Sequence, residues 1–170
     1  VNLSNSNVFL NNTANNNTKD GFYLLTSTNK SFTGDKSFNN TRNGFNFSGS
    51  TKNSLSGENA TDNLLDGFYI DSTSSGNNIS SSQAYFNMQY GFHIAGPSGT
   101  IIKNSTAAGT SPGGKATQVI GFYLDTGSTY NMLQNDTSFD HNQHGFYATR
   151  AAGNNISGSQ AYANVLNGIL

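Results

Sequence analysis

The sequence predicts an all-β protein, a single-stranded parallel β-helix (β-solenoid) with three short strands per coil and about 23 residues per coil. Three observations carry that prediction. First, a Gly-aromatic pair recurs at Gly21-Phe22, Gly44-Phe45, Gly67-Phe68, Gly91-Phe92, Gly121-Phe122 and Gly145-Phe146, then weakens to Gly168-Ile169, with gaps of 23, 23, 24, 30, 24 and 23 residues. A self-similar period of this size marks a solenoid, whose repeats bury their apolar faces only against one another. Second, aligning the repeats on the glycine puts apolar residues into columns with period two, as in a short strand. Third, Asn, Ser and Thr supply 66 of 170 residues, whereas Leu, Ile, Val and Phe supply 35. That composition borders on the disordered range, but a net charge of -1 and the fixed apolar phases favour order. No window sustains a 3.6-residue period, so helices are not expected.

Taken in order, Val1 to Asp20 reads as the tail of an incomplete coil, and coils then open at each repeated glycine. Residues 1–170 form one continuous segment of about seven partial or complete coils. The residue after Gly is Phe22, Phe45, Phe68, Phe92, Phe122 or Phe146, and two further on stand Leu24, Phe47, Ile70, Ile94, Leu124 and Ala148. Twelve residues before each Gly comes a second apolar column: Phe9, Phe32, Leu55, Ile79, Leu133 and Ile156. Seven before it, small residues recur at Ala14, Ser37, Ala60, Ala84, Gly114, Ser138 and Ala161. Three residues later lie Asn17, Asn40, Asn63, Asn87 and Asn164, interrupted by Thr117 and His141. Stacked coils turn each column into a ladder: Phe on Phe, and inward Asn exchanging amide hydrogen bonds with the coils on either side. The Gly column is expected to supply a positive φ or a close turn. The fourth coil is longer, and its excess is placed as a loop insertion at residues 104–114, which bulges outward without breaking the stack. Val1 is not Met and the chain stops mid-coil, so a longer chain or an end-to-end stack of molecules is expected.

Low charge without a Lys/Arg run gives no case for a nucleic-acid partner, and no stretch approaches the roughly 20 apolar residues of a membrane span. With no Cys there are no disulfides or thiolate metal sites. Glycosylation acceptor triplets include Asn29, Asn46, Asn59, Asn78, Asn104, Asn135 and Asn155, with others at Asn2, Asn11, Asn16 and Asn39. They count only if the protein is exported by a cell that N-glycosylates.

The cadence Gly-Phe-Tyr-Leu, Gly-Asn-Asn-Ile-Ser and Ala-Tyr-x-Asn, as in Asn154 to Ser157 and Ala161 to Asn164, resembles the right-handed parallel β-helix repeat family. That family takes in pectate-lyase-like enzymes, C5-epimerases, NosD-type proteins and archaeal and bacterial surface proteins. The resemblance implies a right-handed coil and spans nearly the whole chain; it does not single out an activity.

Nine acids are available for chemistry. Asp71 and Asp125 share a phase, four residues after Gly in coils two apart, so their backbones are expected about 10 Å apart. With His93 between them they are the candidate catalytic residues; two solvated turn residues are the alternative. Tyr23, Tyr69, His93, Tyr123 and Tyr147, in file with Asn46, form a candidate carbohydrate- or partner-binding face, because exposed rings stack on sugars. The alternative is that Tyr suits a β surface and packs on itself. His141 and His144 lack a third ligand in register, so no metal site is assigned. Asp35, Asp62 and Asp66 read as turn makers, an adventitious Ca²⁺ being the alternative, and no other cofactor is expected.

Together these features predict a non-catalytic structural segment of an extracellular surface, sheath or filament protein that self-associates end to end or laterally. The alternative is a carbohydrate-binding or polysaccharide-processing module, of lyase, hydrolase or epimerase type.

Overall fold

A computed structural model of the chain describes residues 6–96, 99–110 and 118–170. Twenty strands of three to five residues wind into a solenoid of three parallel sheets, in which each strand pairs with those one coil before and after it. The first sheet comprises Val8–Leu10, Ser31–Thr33, Ser54–Ser56, Asn78–Ser80, Ile101–Lys103, Met132–Gln134 and Asn155–Ser157. The second comprises Thr13–Asn15, Lys36–Phe38, Asn59–Thr61, Gln83–Tyr85, Thr106–Ala108, Thr137–Phe139 and Gln160–Tyr162. Phe22–Leu25, Phe45–Ser48, Phe68–Ile70, Tyr90–Ile94, Ile120–Leu124 and Phe146–Ala148 make the third, which Ile169 extends by a bridge to Phe146. The described residues contain no helix, and so none long and apolar enough to cross a membrane.

Every strand sends its alternate residues inward, and register does the rest. Phe22, Phe45, Phe68, Phe92, Phe122 and Phe146 stack face to face with centroids 4.7–4.9 Å apart and ring planes within 7°. That separation is the spacing of neighbouring strands, so the backbone itself sets the stack. In the first sheet the column runs Phe9, Phe32, Leu55, Ile79, Ile102, Leu133, Ile156. In the second it runs Ala14, Ser37, Ala60, Ala84, Ala107, Ser138, Ala161.

Ile102 and Ala107 locate the long coil's extra residues. Thr106–Ala108 pairs in register with strands on both sides, so residues 104–108 are regular coil and the extra length follows Ala108. The expected small residue Gly114 and column residue Thr117 lie outside the described residues. Their columns are filled instead by Ala107 and Gln118, whose Oε1 accepts from Asn87 N at 3.3 Å. Counting backward from Gly121 failed here because the additional residues fall between the strand and the glycine.

A chain so poor in aliphatic residues holds together through polar ladders at its corners. Asn17, Asn40 and Asn63 each donate Nδ2–H to the Oδ1 of the next Asn, through Asn87, at 2.9 Å. At another corner the backbone N–H groups of Asn12, Asp35, Glu58, Ser82, Ser105 and Asp136 each donate to the side chain one coil on, ending at Ser159, over 2.6–3.2 Å. A third ladder runs from Lys30 N to Asn53 Oδ1 (2.8 Å) and from Asn53 N to Asn77 Oδ1 (3.0 Å). Each bond contributes about 1 kcal/mol net, and leaving one unmade in the interior costs more.

The corners also explain the Asn content. Asn11, Asn16, Asn29, Asn39, Asn104 and Asn135 take φ of 52–56°, the left-handed region that Asn tolerates better than other side-chain-bearing residues. The repeated glycines have a different role, and the positive-φ expectation for them does not hold. A Cβ on Gly21, Gly44, Gly67, Gly91, Gly121 or Gly145 would stand 2.6–2.9 Å from the carbonyl oxygen of the next repeated glycine, so the position is set by close approach of backbones.

Candidate functional site

Because inward and outward residues alternate, the Phe and Leu columns of the third sheet force the residue between them to face out. Those outward residues are Tyr23, Asn46, Tyr69, His93, Tyr123 and Tyr147, joined strand to strand in register. From Tyr69 onward they form a continuous row of rings: Tyr69 to His93 at 5.1 Å, His93 to Tyr123 at 5.0 Å and Tyr123 to Tyr147 at 5.5 Å. Tyr90 packs beside the row, 4.9 Å from both His93 and Tyr123, and His144 stacks on Tyr147 at 5.0 Å. Asn46 breaks the row. It is buried, and its Nδ2 donates to Asp20 Oδ2 at 3.0 Å.

The centre of the face is an Asp66–His93–Asp125 bridge across three coils. His93 Nδ1 and Asp66 Oδ2 are hydrogen-bonded at 3.0 Å, and the imidazole Nε2 lies 3.8 Å from Asp125 Oδ2. Asp66 Oδ1 accepts from Tyr90 N (3.1 Å) and Asp125 Oδ1 from the Tyr123 hydroxyl (3.0 Å). Burial pushes the Asp66 carboxyl above the usual carboxylate range, against the opposing pull of His93. Burial acts the same way on Asp125, but there hydrogen bonds from Thr126 and Tyr123, with His93 nearby, outweigh it and the group sits below its ordinary value. Burial and the adjacent Asp125 raise the Tyr123 phenol well above the ordinary tyrosine value, so it remains a proton donor.

Asp71 does not join this group. Its Oδ1 accepts from Thr73 N, Thr73 Oγ1, Ser74 Oγ and Gly49 N at 2.8–3.3 Å. Burial alone would raise its pKa, but these bonds prevail and hold it down. It organises a turn and a neighbouring coil, so the expected Asp71/Asp125 pair is replaced by Asp66 and Asp125 on opposite edges of His93. The imidazole of His93 lies between those two carboxyls.

A concavity of about 430 Å³ lies beside the bridge, lined by Lys19, Asp20, Tyr23, Arg42, Asn46, Ser48, Tyr69 and Asp71. A smaller one of about 200 Å³ shares Arg42 and Tyr69 and reaches His93, Asp66 and Gln89. Together they run along the sheet from the first coil to the fourth.

The other singled-out residues lie apart. His141 is fully buried in the amide column, between Gln118 and Asn164, and burial lowers its pKa to about 4. Asp35 belongs to the second corner ladder and Asp62 takes a left-handed φ of 55°; of the three expected turn aspartates, Asp66 alone reaches the face. Among the described residues no three His, Asp or Glu side chains gather as a metal site. Of the glycosylation triplets, Asn29, Asn104, Asn135 and Asn155 are exposed and Asn59 and Asn78 are half-buried. Asn46 is corrected as an acceptor, since its amide nitrogen is committed to Asp20 inside the third sheet.

Sequence reasoning missed Asp66 and Tyr90 as members of the face. Both stand immediately before the repeated glycine, in a column (Asp20, Asn43, Asp66, Tyr90, Ile120, His144) too varied in chemistry to read as one.

The solved structure of the pectate lyase Pel9A superposes on this chain with a TM-score of 0.77 at 19% identity, covering 89% of this chain and 42% of that one. The chain thus spans less than half the length of that enzyme, and at this identity the likeness is one of fold. A search of curated proteins finds no match to the sequence. Residues 1–119 match the family described as "Right handed beta helix region", and the chain therefore belongs to the right-handed β-helix family.

Proposed function

We propose that this segment is a non-catalytic β-solenoid, extracellular or on the cell surface, whose third sheet binds a polysaccharide chain. The observation that carries the reading is the row of rings from Tyr69 to Tyr147 running beside a groove with charged and hydroxyl-bearing walls. Rings present apolar faces to the C–H faces of sugars, and the acids, amides and cations beside them supply hydroxyl partners. Binding is favoured over cleavage because the carboxyls are spent structurally: Asp71 caps a turn, and His93 separates Asp66 from Asp125.

The test is calorimetric titration with a panel of neutral and acidic polysaccharides, alongside an assay for new reducing or unsaturated ends. Two stacking contacts at about 0.5–1.5 kcal/mol each predict a roughly 5- to 150-fold affinity loss in the Tyr69→Ala/Tyr123→Ala variant. Unchanged affinity would sink the binding face, and release of cleaved ends would overturn the non-catalytic assignment.

A further inference from the structure

We propose that Tyr23, Asn46 and Tyr69 form a slot that takes one saturated six-membered sugar ring edgewise, at the level where the row of rings lacks a member. The inference rests on the third sheet being the glycan-binding face and specifies how one sugar unit is held there.

Register puts Tyr23, Asn46 and Tyr69 at the same position of three successive strands. In the later coils that position carries a ring each time. Here Asn46 is short, 6% exposed, and folded down onto Asp20. Tyr23, Asn46 and Tyr69 all line the 430 Å³ concavity. Such a volume lies within the roughly 300–1,000 Å³ of small-ligand pockets.

Two coils separate Tyr23 from Tyr69 by about 9.6 Å, so a ring inserted midway lies about 4.8 Å from each. A pyranose, with hydrogens projecting from both faces, fits that spacing and offers C–H groups to the ring on either side. The ligand ring would then stand where residue 46 of a continuous file would have its own.

The slot's edge supplies polar recognition. Lys19 and Arg42 occupy equivalent places in successive coils, with Arg42 N donating to Lys19 O at 3.3 Å, and both line the concavity. Among the described residues neither side chain forms an ion pair. The nearby carboxylates are already engaged: Asp20 takes Asn43 N, Asn43 Nδ2 and Asn46 Nδ2, and Asp71 takes its own turn. The two cations are therefore available to donate to ring substituents.

The decisive variant is Asn46→Tyr, which completes the row and fills the slot. The probes are a neutral gluco-hexasaccharide and a uronate hexasaccharide of equal length, titrated calorimetrically. We expect Asn46→Tyr to weaken whichever probe the parent binds by at least tenfold, Tyr23→Ala to weaken it comparably, and Tyr162→Ala, an exposed ring on the second sheet, to change it less than threefold. Circular dichroism and the urea midpoint establish that each variant is folded. Asn46→Tyr binding as tightly as the parent, or more tightly, would overturn the slot; if Tyr69→Ala/Tyr123→Ala still loses affinity, the glycan face stands without it. Failure of the parent to bind either probe, or preference for a planar aromatic such as tyrosinamide, also overturns the slot.

Discussion

Replacing Asn63 with Leu tests whether amides or apolar volume hold this solenoid. Intuition about cores predicts stabilisation, since Leu buries about 1.5–3 kcal/mol of apolar side chain. The structure predicts the opposite. Asn63 Oδ1 accepts from Asn40 N (3.2 Å) and Asn40 Nδ2 (2.9 Å), and its Nδ2 donates to Asn87 Oδ1 (2.9 Å) and Ser37 O (3.3 Å). Four bonds at about 1 kcal/mol each are lost, and the buried Asn40 N–H is left without its acceptor at a further cost of about 1–3 kcal/mol. Setting the Leu gain against these leaves a net destabilisation of about 2–5.5 kcal/mol. Urea titration followed by circular dichroism and tyrosine fluorescence reads this as a lower midpoint at unchanged slope. A midpoint equal to or above the parent's would refute the argument that amide ladders substitute for an aliphatic core.

Gly67→Ala places a Cβ 2.7 Å from Gly91 O and 2.9 Å from the Ala84 Cβ; backbone cannot yield there cheaply, and a loss of about 1–3 kcal/mol is expected on the same urea assay. His141 has its pKa lowered to about 4 from 6.5 in the folded state, so its contribution is complete above pH 6.5 and is lost as pH falls toward 4. The shift corresponds to roughly 3 kcal/mol, and His141→Asn should abolish that acid dependence in melts between pH 7 and 4. Glu58 behaves with opposite sign: burial, with Asp35 adding to it, raises its pKa from 4.5 to about 8. Stability should therefore fall as pH rises from 4.5 through 8, and Glu58→Gln should flatten that slope. Ala163, at φ 53°, should gain about 1 kcal/mol on replacement by Gly, read as a higher melting temperature; no change would mean that the end coil adapts.

The period, the three strand columns and the outward row are legible in the chain before any coordinates, because a stacked coil forces the same chemistry to recur at the same phase. Tyr23, Tyr69, Tyr123 and Tyr147 could be placed on one face for that reason alone. Phase counting did not reveal where the long coil puts its extra residues, since Ile102, Ala107 and Gln118 keep their columns at altered spacing from Gly121. Nor could it show why the repeated glycine is glycine, which depends on the carbonyl of the next coil 2.6–2.9 Å from an absent Cβ. The Asp66–His93–Asp125 bridge and the recess over Asn46 emerged only in three dimensions. Asp66, His93 and Asp125 stand at three different phases of three coils, and nothing in their spacing shows that an imidazole lies between the carboxyls. Periodicity fixes which residues share a column; contacts between columns depend on side-chain length and direction across the sheet, which the packing of the coils sets.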